Sequence, residues 1–265
     1  MVNLGNALAR AGFVAMFPWS SSMIGKQLNP SEQDNLVRAF QHLVGLECVD
    51  PSRAGMGVFC VGGSMCLVAA SDPRISHMVI SVSSFGCYYD IGDLIKQIST
   101  HRSFYGTRVK SWDPDHLTQE VLAYQLINGL EGTERETLSR IFIEERSAQV
   151  PPPDGLSPEG RAVYRLLSSA KATEGQRLSH EEAGGLLRDL PSGLIEDQRR
   201  VPPSAHMDNL KARVLIAHVQ RGLFGTGRGV PPSRRRAFSP QGDQLHGVLL
   251  LPRDSQQEGG APDLR

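Results

Sequence analysis

The chain has 265 residues, and its 28 lysines and arginines balance 28 aspartates and glutamates, so the formal net charge is zero. This length supports one large domain with a substantial hydrophobic core. The balanced total charge gives no indication of the strongly basic or acidic character typical of proteins that bind nucleic acids or membrane surfaces, and we expect neither partner.

Cysteine usage and the N-terminus favour the cytoplasm. The cysteines lie at positions 48, 60, 66 and 87, which are too few for a disulfide scaffold and do not have zinc-ligand spacing. The first residues lack the charged segment and apolar stretch of a signal peptide, and no apolar run reaches membrane-spanning length. We therefore predict a cytoplasmic protein without a metal site, of undetermined oligomeric state.

Apolar periodicity and capping residues predict alternating helices and strands in the first 90 residues. In chain order these are a helix at 4–11 that ends at Gly12, a buried strand at 13–17, a helix at 29–46, a buried strand at 55–59, a helix at 63–71 and a strand at 77–83. Asn29, Pro30 and Glu32 form a capping-box pattern with a proline start. The alternation predicts a mainly parallel α/β sheet.

Helical patterns dominate from residue 91 to about 204. Ser179 and Glu182 have capping-box spacing, and the proline-rich stretch at 150–155 reads as a linker between two helices. A buried strand returns at 212–218. We predict a helical insertion at 91–204 that lies on a core formed by 1–90 and 205–218.

The last segment, 219–265, differs in composition from the rest of the chain. It is rich in arginine, glycine and proline, contains no lysine and shows neither helical nor strand periodicity. Such a segment buries too little apolar surface to offset its ordering entropy, so we predict a disordered tail.

One cysteine lies in an unusual local sequence, VFCVGG, from Val58 to Gly63. A sharp strand-to-helix turn presents one side chain at the carboxyl edge of a sheet, and it requires small residues such as Gly62 and Gly63 just after it. The helix N-terminus lowers the pKa of a thiol placed there, and the Val61 N–H faces a developing oxyanion. We interpret Cys60 as a nucleophile; the alternative is a buried small hydrophobe, which is our interpretation of the other cysteines.

Together with this turn, the stretches GFVAMFPW, VDPSRAGMGVFCVGGSMCLVAASDPRI and SFGCYYDIGDL resemble the α/β-hydrolase superfamily. The FCVGG segment is similar to its dienelactone-hydrolase-like branch, and the likeness covers about residues 2–218. The resemblance implies hydrolysis of a small-molecule ester, lactone or related acyl compound by a Cys-His-Asp triad, without a cofactor. It assigns Cys60 as nucleophile, the Val61 N–H as oxyanion donor and 91–204 as a helical cap.

The chain departs from that family at three places. Val58 stands where the family has glycine, and this β-branched residue is expected to strain or reshape the turn. No carboxylate follows the strand at 212–218, where the family acid lies. His246 is the one histidine in the right chain order for the base, although its context differs from that of the family.

Other titratable residues have structural interpretations. Asp90 is a conceivable replacement acid, but its place before the helix at 91–99 favours an N-cap. A surface role is expected for the histidines of the insertion and a structural or solvated role for those before it; the former are His101, His116, His180 and His206, and the latter are His42 and His77.

The ends of the chain support a second interpretation. The family has strands before the first helix and one strand between those at 13–17 and 55–59, so the chain resembles an N-terminally truncated member with unpaired inner sheet edges. A neighbouring reading frame of the tail permits an aspartate at position 222 and a histidine at position 255, which suggests a frame-shifted C-terminus. We therefore predict a hydrolase whose activity is impaired in this chain, and the alternative function is a non-catalytic fragment or binding remnant of such a hydrolase.

Overall fold

The computed structural model describes residues 2–105, 108–145, 151–217 and 248–251. The α-helices of this part are α1 (Val2–Arg10), α2 (Ser21–Ile24), α3 (Ser31–Val44), α4 (Val61–Ala70), α5 (Ile91–Thr100), α6 (His116–Asn128), α7 (Gly132–Ser139), α8 (Pro158–Lys171), α9 (His180–Leu186) and α10 (Ser192–Arg200). Its strands are β1 (Gly55–Phe59), β2 (Ser81–Phe85), β3 (Arg102–Tyr105), β4 (Arg108–Ser111), β5 (Arg213–Ala217) and β6 (Val248–Leu251).

Strands from the first 90 residues and strand β5 form a small parallel sheet. Its strand order is β1-β2-β5, and the last residues of the three strands, Phe59, Phe85 and Ala217, lie in register. This confirms the predicted α/β class with a parallel sheet. Strand β2 spans 81–85 and so begins later than the predicted strand at 77–83. Because the three strands are parallel, their carboxyl ends lie at one edge of the sheet.

A fourth strand pairs with the far side of β5. Strand β6 runs antiparallel to β5, with Val214 opposite Leu251 and Ala217 opposite Val248. The four residues of β6 belong to the tail for which we predicted disorder, so regular pairing extends into that segment. The other residues of the predicted tail lie outside the described residues, as do positions 222 and 255.

The predicted strand at 13–17 is wrong. These residues form no regular element, and Phe13 keeps 62% of its surface exposed. A strand requires a hydrogen-bonding neighbour, and among the described residues β1 pairs only with β2 and forms the edge of the sheet. Residues 13–17 therefore have the apolar composition of a buried strand, but the described sheet does not include them.

Helix α3 packs against α4, which in turn covers β1 and β2. The helix starts at Ser31, and the Asn29 side chain accepts a hydrogen bond from the Ser31 N–H at 2.9 Å. Glu32 does not complete the predicted capping box. Its carboxylate is buried and accepts hydrogen bonds from the hydroxyls of Ser20 and Ser22.

The helices between 91 and 204 pack mainly on one another, with α5 in contact with α6, α8 and α9. Ser179 and Glu182 form the predicted capping box at the start of α9. The antiparallel hairpin β3–β4 interrupts the helices and was absent from the sequence prediction. Side chains from this region and from the sheet belong to one hydrophobic cluster, which contains both Val82 of β2 and Leu166 of α8.

His101 ends α5 inside the protein, which corrects the predicted surface role. The residue adopts a left-handed conformation with φ 52° and is only 5% exposed. Its Nε2 lies 2.8 Å from the Ala170 carbonyl, and this acceptor requires the Nε2–H tautomer. His101 therefore links the end of α5 to α8.

We expect a pH dependence of stability from His101. Desolvation by burial lowers the pKa of His101 below the ordinary value of 6.5, and nearby Arg177 acts in the same direction. The hydrogen bond to the Ala170 carbonyl and the exposed Asp113 carboxylate oppose this shift without reversing it. The unfolded chain then binds the proton more readily, so the free energy of unfolding falls as the pH decreases below about 6.5. Urea unfolding between pH 7.5 and 5 measures this slope.

The matched substitutions are His101→Asn, which tolerates the left-handed conformation, and His77→Asn at an exposed turn. His101→Asn should flatten the pH dependence, and His77→Asn should leave it as in the wild type. Equal slopes in all three proteins would show that protonation of His101 does not determine the effect.

Candidate active site

The structure places Cys60 where the sequence predicts it, between the last residue of β1 and the first residue of α4. Its backbone has φ 58° and ψ −143°, a combination that glycine adopts readily and L-residues adopt at a cost of about 1–3 kcal/mol. The predicted strand-to-helix turn at Cys60 is confirmed. We call residues 59–63 the Cys60 turn.

One hydrogen bond to the neighbouring strand and one within the turn hold this conformation. The Cys60 N–H donates to the Phe85 carbonyl at 2.7 Å, and the Gly63 N–H donates to the Cys60 carbonyl at 2.9 Å. The Phe59 and Phe85 rings stack with centroids 5.1 Å apart. The turn is therefore tied to the carboxyl end of β2 through Phe59 and Cys60.

The two glycines of the Cys60 turn differ in the room around them, and packing requires a glycine only at position 63. A Cβ on Gly63 would overlap Ser84 Oγ and lie 2.9 Å from Cys87 Cβ, so only glycine fits there. A Cβ on Gly62 would lie 3.6 Å from Val58 Cγ1, which is an ordinary contact. Val58 itself packs half-buried against the core, and the residue adopts regular strand geometry.

Ser64 is a positioning residue that the sequence reading missed. Its hydroxyl is buried, donates to the Tyr88 carbonyl at 2.7 Å and accepts from the Tyr88 N–H at 3.0 Å. The pair fixes the loop after β2 against the first turn of α4. A lone hydroxyl in an otherwise apolar helix was the available signal, because such a group requires a partner.

Asp90 is the N-cap of α5, as predicted. Its Oδ1 accepts a hydrogen bond from the Asp93 N–H at 2.9 Å. This contact satisfies one of the free N–H groups of the helix and commits the carboxylate to a structural role. We do not assign it as the acid of the candidate site.

The other cysteines have different environments. Cys66 is buried within α4, and burial raises the pKa of its thiol to about 12. Cys87 is also buried, and burial raises the pKa of its thiol as well. Cys48 is exposed, so it does not fit the predicted role of a buried hydrophobe. Cys60 is thus the partly exposed thiol that lies at a helix N-terminus.

The histidines of the helical region have contacts of their own. The His180 ring packs 4.1 Å from that of Phe104, and His206 Nε2 lies 2.7 Å from the Arg200 carbonyl. His116 Nδ1 lies 4.0 Å from a Glu120 oxygen. His246, the candidate base, lies outside the described residues.

Within the described ranges, no group of three or more histidine, cysteine, aspartate or glutamate side chains is arranged to hold a metal ion. The helices of that same part of the chain include none with the length and apolar character needed to cross a membrane. Comparisons of the chain with protein-family models, curated proteins and solved structures find no match.

The crowding at Gly63, and the room at Gly62, predict different effects of alanine at these two neighbouring positions. Gly63→Ala should lower the free energy of unfolding by about 1–3 kcal/mol, because the added methyl group overlaps Ser84. Gly62→Ala should leave it within about 0.5 kcal/mol or raise it slightly, since there the methyl group has room and alanine favours a helix. Urea unfolding of both variants measures the difference. Equal destabilisation would contradict the packing described for the turn.

Proposed function

We propose that Cys60 is the nucleophile of an acyl-transfer site that acts on a carboxylic ester, a lactone or a related small acyl compound. The observation that carries this proposal is the backbone of Cys60, with φ 58° at the junction of β1 and α4. A strained conformation at a non-glycine residue costs stability, and such residues cluster at functional sites. A merely structural cysteine gains nothing from this geometry.

The surroundings of the thiol suit nucleophilic chemistry. Helix α4 has ten residues and begins at Val61, so its N-terminal N–H groups and the positive end of its dipole lie beside Cys60. This arrangement favours a thiolate over a thiol. The Val61 N–H also follows the nucleophile directly, as required of a donor to an oxyanion.

The proposed reaction has two steps. The Cys60 thiolate adds to the acyl carbon, and collapse of the tetrahedral intermediate breaks the bond to the alkoxide, which leaves as an alcohol after protonation. The acyl group remains on sulfur as a thioester. Water then adds to the thioester carbonyl, releases the carboxylic acid and regenerates the thiol.

The second step requires a base that activates water. The resemblance described above assigns this role by chain order to His246, whose sequence context departs from the family pattern. We therefore expect acylation to be faster than release of the acid. The alternative, a non-catalytic binding remnant, requires no acylation of Cys60 at all.

We expect p-nitrophenyl acetate to acetylate Cys60. Mixing the protein with excess ester should release about one equivalent of p-nitrophenolate in a burst, followed by slow turnover. Cys60→Ala should abolish the burst, and Cys48→Ala should retain it, because Cys48 is an exposed thiol away from the turn. Absorbance follows the burst, and mass spectrometry of peptides locates the acetyl group.

The two cysteine variants distinguish a positioned nucleophile from an ordinary surface thiol. A burst lost in Cys48→Ala and kept in Cys60→Ala would assign the reaction to surface chemistry. Absence of acetyl-Cys60 in a folded wild-type protein would favour the non-catalytic alternative.

A further inference from the structure

Two phenylalanine rings lie beside Cys60 at the carboxyl edge of the sheet. Phe59 is the last residue of β1 and directly precedes Cys60, and Phe85 is the last residue of β2. Their rings stack with centroids 5.1 Å apart and planes inclined by 21°. Phe59 nevertheless keeps 46% of its surface exposed, and Phe85 is half-buried. These two rings, which we call the phenylalanine pair, therefore present aromatic surface to solvent at the candidate site.

The alternation of side chains along β1 places the Phe59 ring on the sheet face that α4 does not cover. Val58 points toward α4, since a Cβ on Gly62 of that helix would lie 3.6 Å from Val58 Cγ1. Successive side chains of a strand point to opposite faces, so Phe59 and Gly57 share the other face. Gly57 is exposed there, and a Cβ added to it would have no described atom within 4 Å. The Phe59 ring thus borders open space beside β1.

The outer side of the Phe59 ring has no strand next to it in the described sheet. Phe85 stacks on Phe59 from the side of β2, and β1 is the edge strand on the opposite side. Aromatic rings associate in offset-stacked or edge-to-face arrangements with centroids about 4.5–7 Å apart. A third aromatic ring can therefore stack on Phe59 as a continuation of the pair.

A group bonded to the Cys60 sulfur is held close to the phenylalanine pair. Consecutive Cα atoms lie about 3.8 Å apart, so the side chains of Phe59 and Cys60 leave the backbone side by side. The hydrogen bond of 2.7 Å from the Cys60 N–H to the Phe85 carbonyl brings the second phenylalanine to the same place. In the proposed reaction the acyl group stays on sulfur, so the pair is placed to contact the acyl half of the substrate.

We propose that the phenylalanine pair binds an aromatic ring in the acyl group, so that the preferred substrates are esters of arylalkanoic acids such as phenylacetic acid. This inference rests on the proposed acyl-transfer function and assigns Phe59 and Phe85 as specificity-determining residues. A phenylacetyl group has one methylene between carbonyl and ring, which lets the ring turn onto Phe59. An acetyl group has no ring to stack there.

The first experiment compares p-nitrophenyl phenylacetate with p-nitrophenyl acetate. The rate constant of each burst is divided by that of the same ester with N-acetylcysteine, which corrects for intrinsic reactivity. From the usual strength of an aromatic pair, we expect the corrected rate constant to be about two- to tenfold higher for the phenylacetate. Phe59→Ala should remove this preference, and Phe13→Ala, at another exposed phenylalanine, should leave it unchanged.

Alkylation of the thiols tests the phenylalanine pair without acyl transfer. Iodoacetanilide is iodoacetamide with an added phenyl ring, and with either reagent the thiolate displaces iodide from the methylene carbon. Mass spectrometry of peptides gives the rate constants at Cys60 and, in the same sample, at exposed Cys48. The ratio of anilide to amide should be about two- to tenfold higher at Cys60 than at Cys48, and Phe59→Ala should make the two ratios equal.

The two experiments separate failure of this inference from failure of the proposed function. If the bursts occur, equal corrected rate constants for the two esters overturn the inference and leave acyl transfer intact. If no burst occurs, acyl transfer is contradicted, and the alkylation ratios decide: a higher ratio at Cys60 supports the phenylalanine pair and equal ratios overturn it. A preference retained by folded Phe59→Ala also overturns it. Circular dichroism checks folding, and if Phe59→Ala does not fold, the wild-type ratios decide.

Discussion

The close approach of α4 to the carboxyl end of β2 is the constraint on which the candidate site depends. Gly63 touches Ser84 so tightly that no side chain fits between them, and Ser64 exchanges two hydrogen bonds with Tyr88. In the turn before α4, the Cys60 N–H donates a hydrogen bond to the carbonyl of Phe85, the last residue of β2. These contacts compensate the unfavourable backbone of Cys60, since a strained residue persists only where its surroundings over-determine it.

The Cys60 turn and the helix caps at Asp90 and Ser179 were predictable because their signals are local. A cysteine after an apolar strand and before two glycines is typical of a strand-to-helix turn, and the capping serine at position 179 needs only its neighbour at 182. The predictions that were wrong concern features that residues far away in the chain determine. The stretch 13–17 has the composition of a buried strand, but strand formation depends on a partner that the described sheet does not contain.

Two polar residues also have roles that depend on distant residues and that the local sequence does not predict. His101 reads as a surface histidine, and its burial results from contacts with α8, about 70 positions later in the chain. Glu32 reads as a capping residue, because the spacing from Asn29 is correct, but the hydroxyls of Ser20 and Ser22 engage its carboxylate instead. Tertiary hydrogen bonds therefore override the local pattern at both residues.

The central claim is that Cys60 occupies a strained turn that its neighbours enforce, and the relative stability of two variants tests it most directly. At an ordinary position, glycine is less stable than alanine by about 0.5–1 kcal/mol because it has more conformational entropy to lose. At φ 58° the order should reverse, since glycine relieves the strain that alanine retains. Urea unfolding should give Cys60→Gly a free energy of unfolding about 1 kcal/mol higher than that of Cys60→Ala. A higher value for Cys60→Ala would contradict the account.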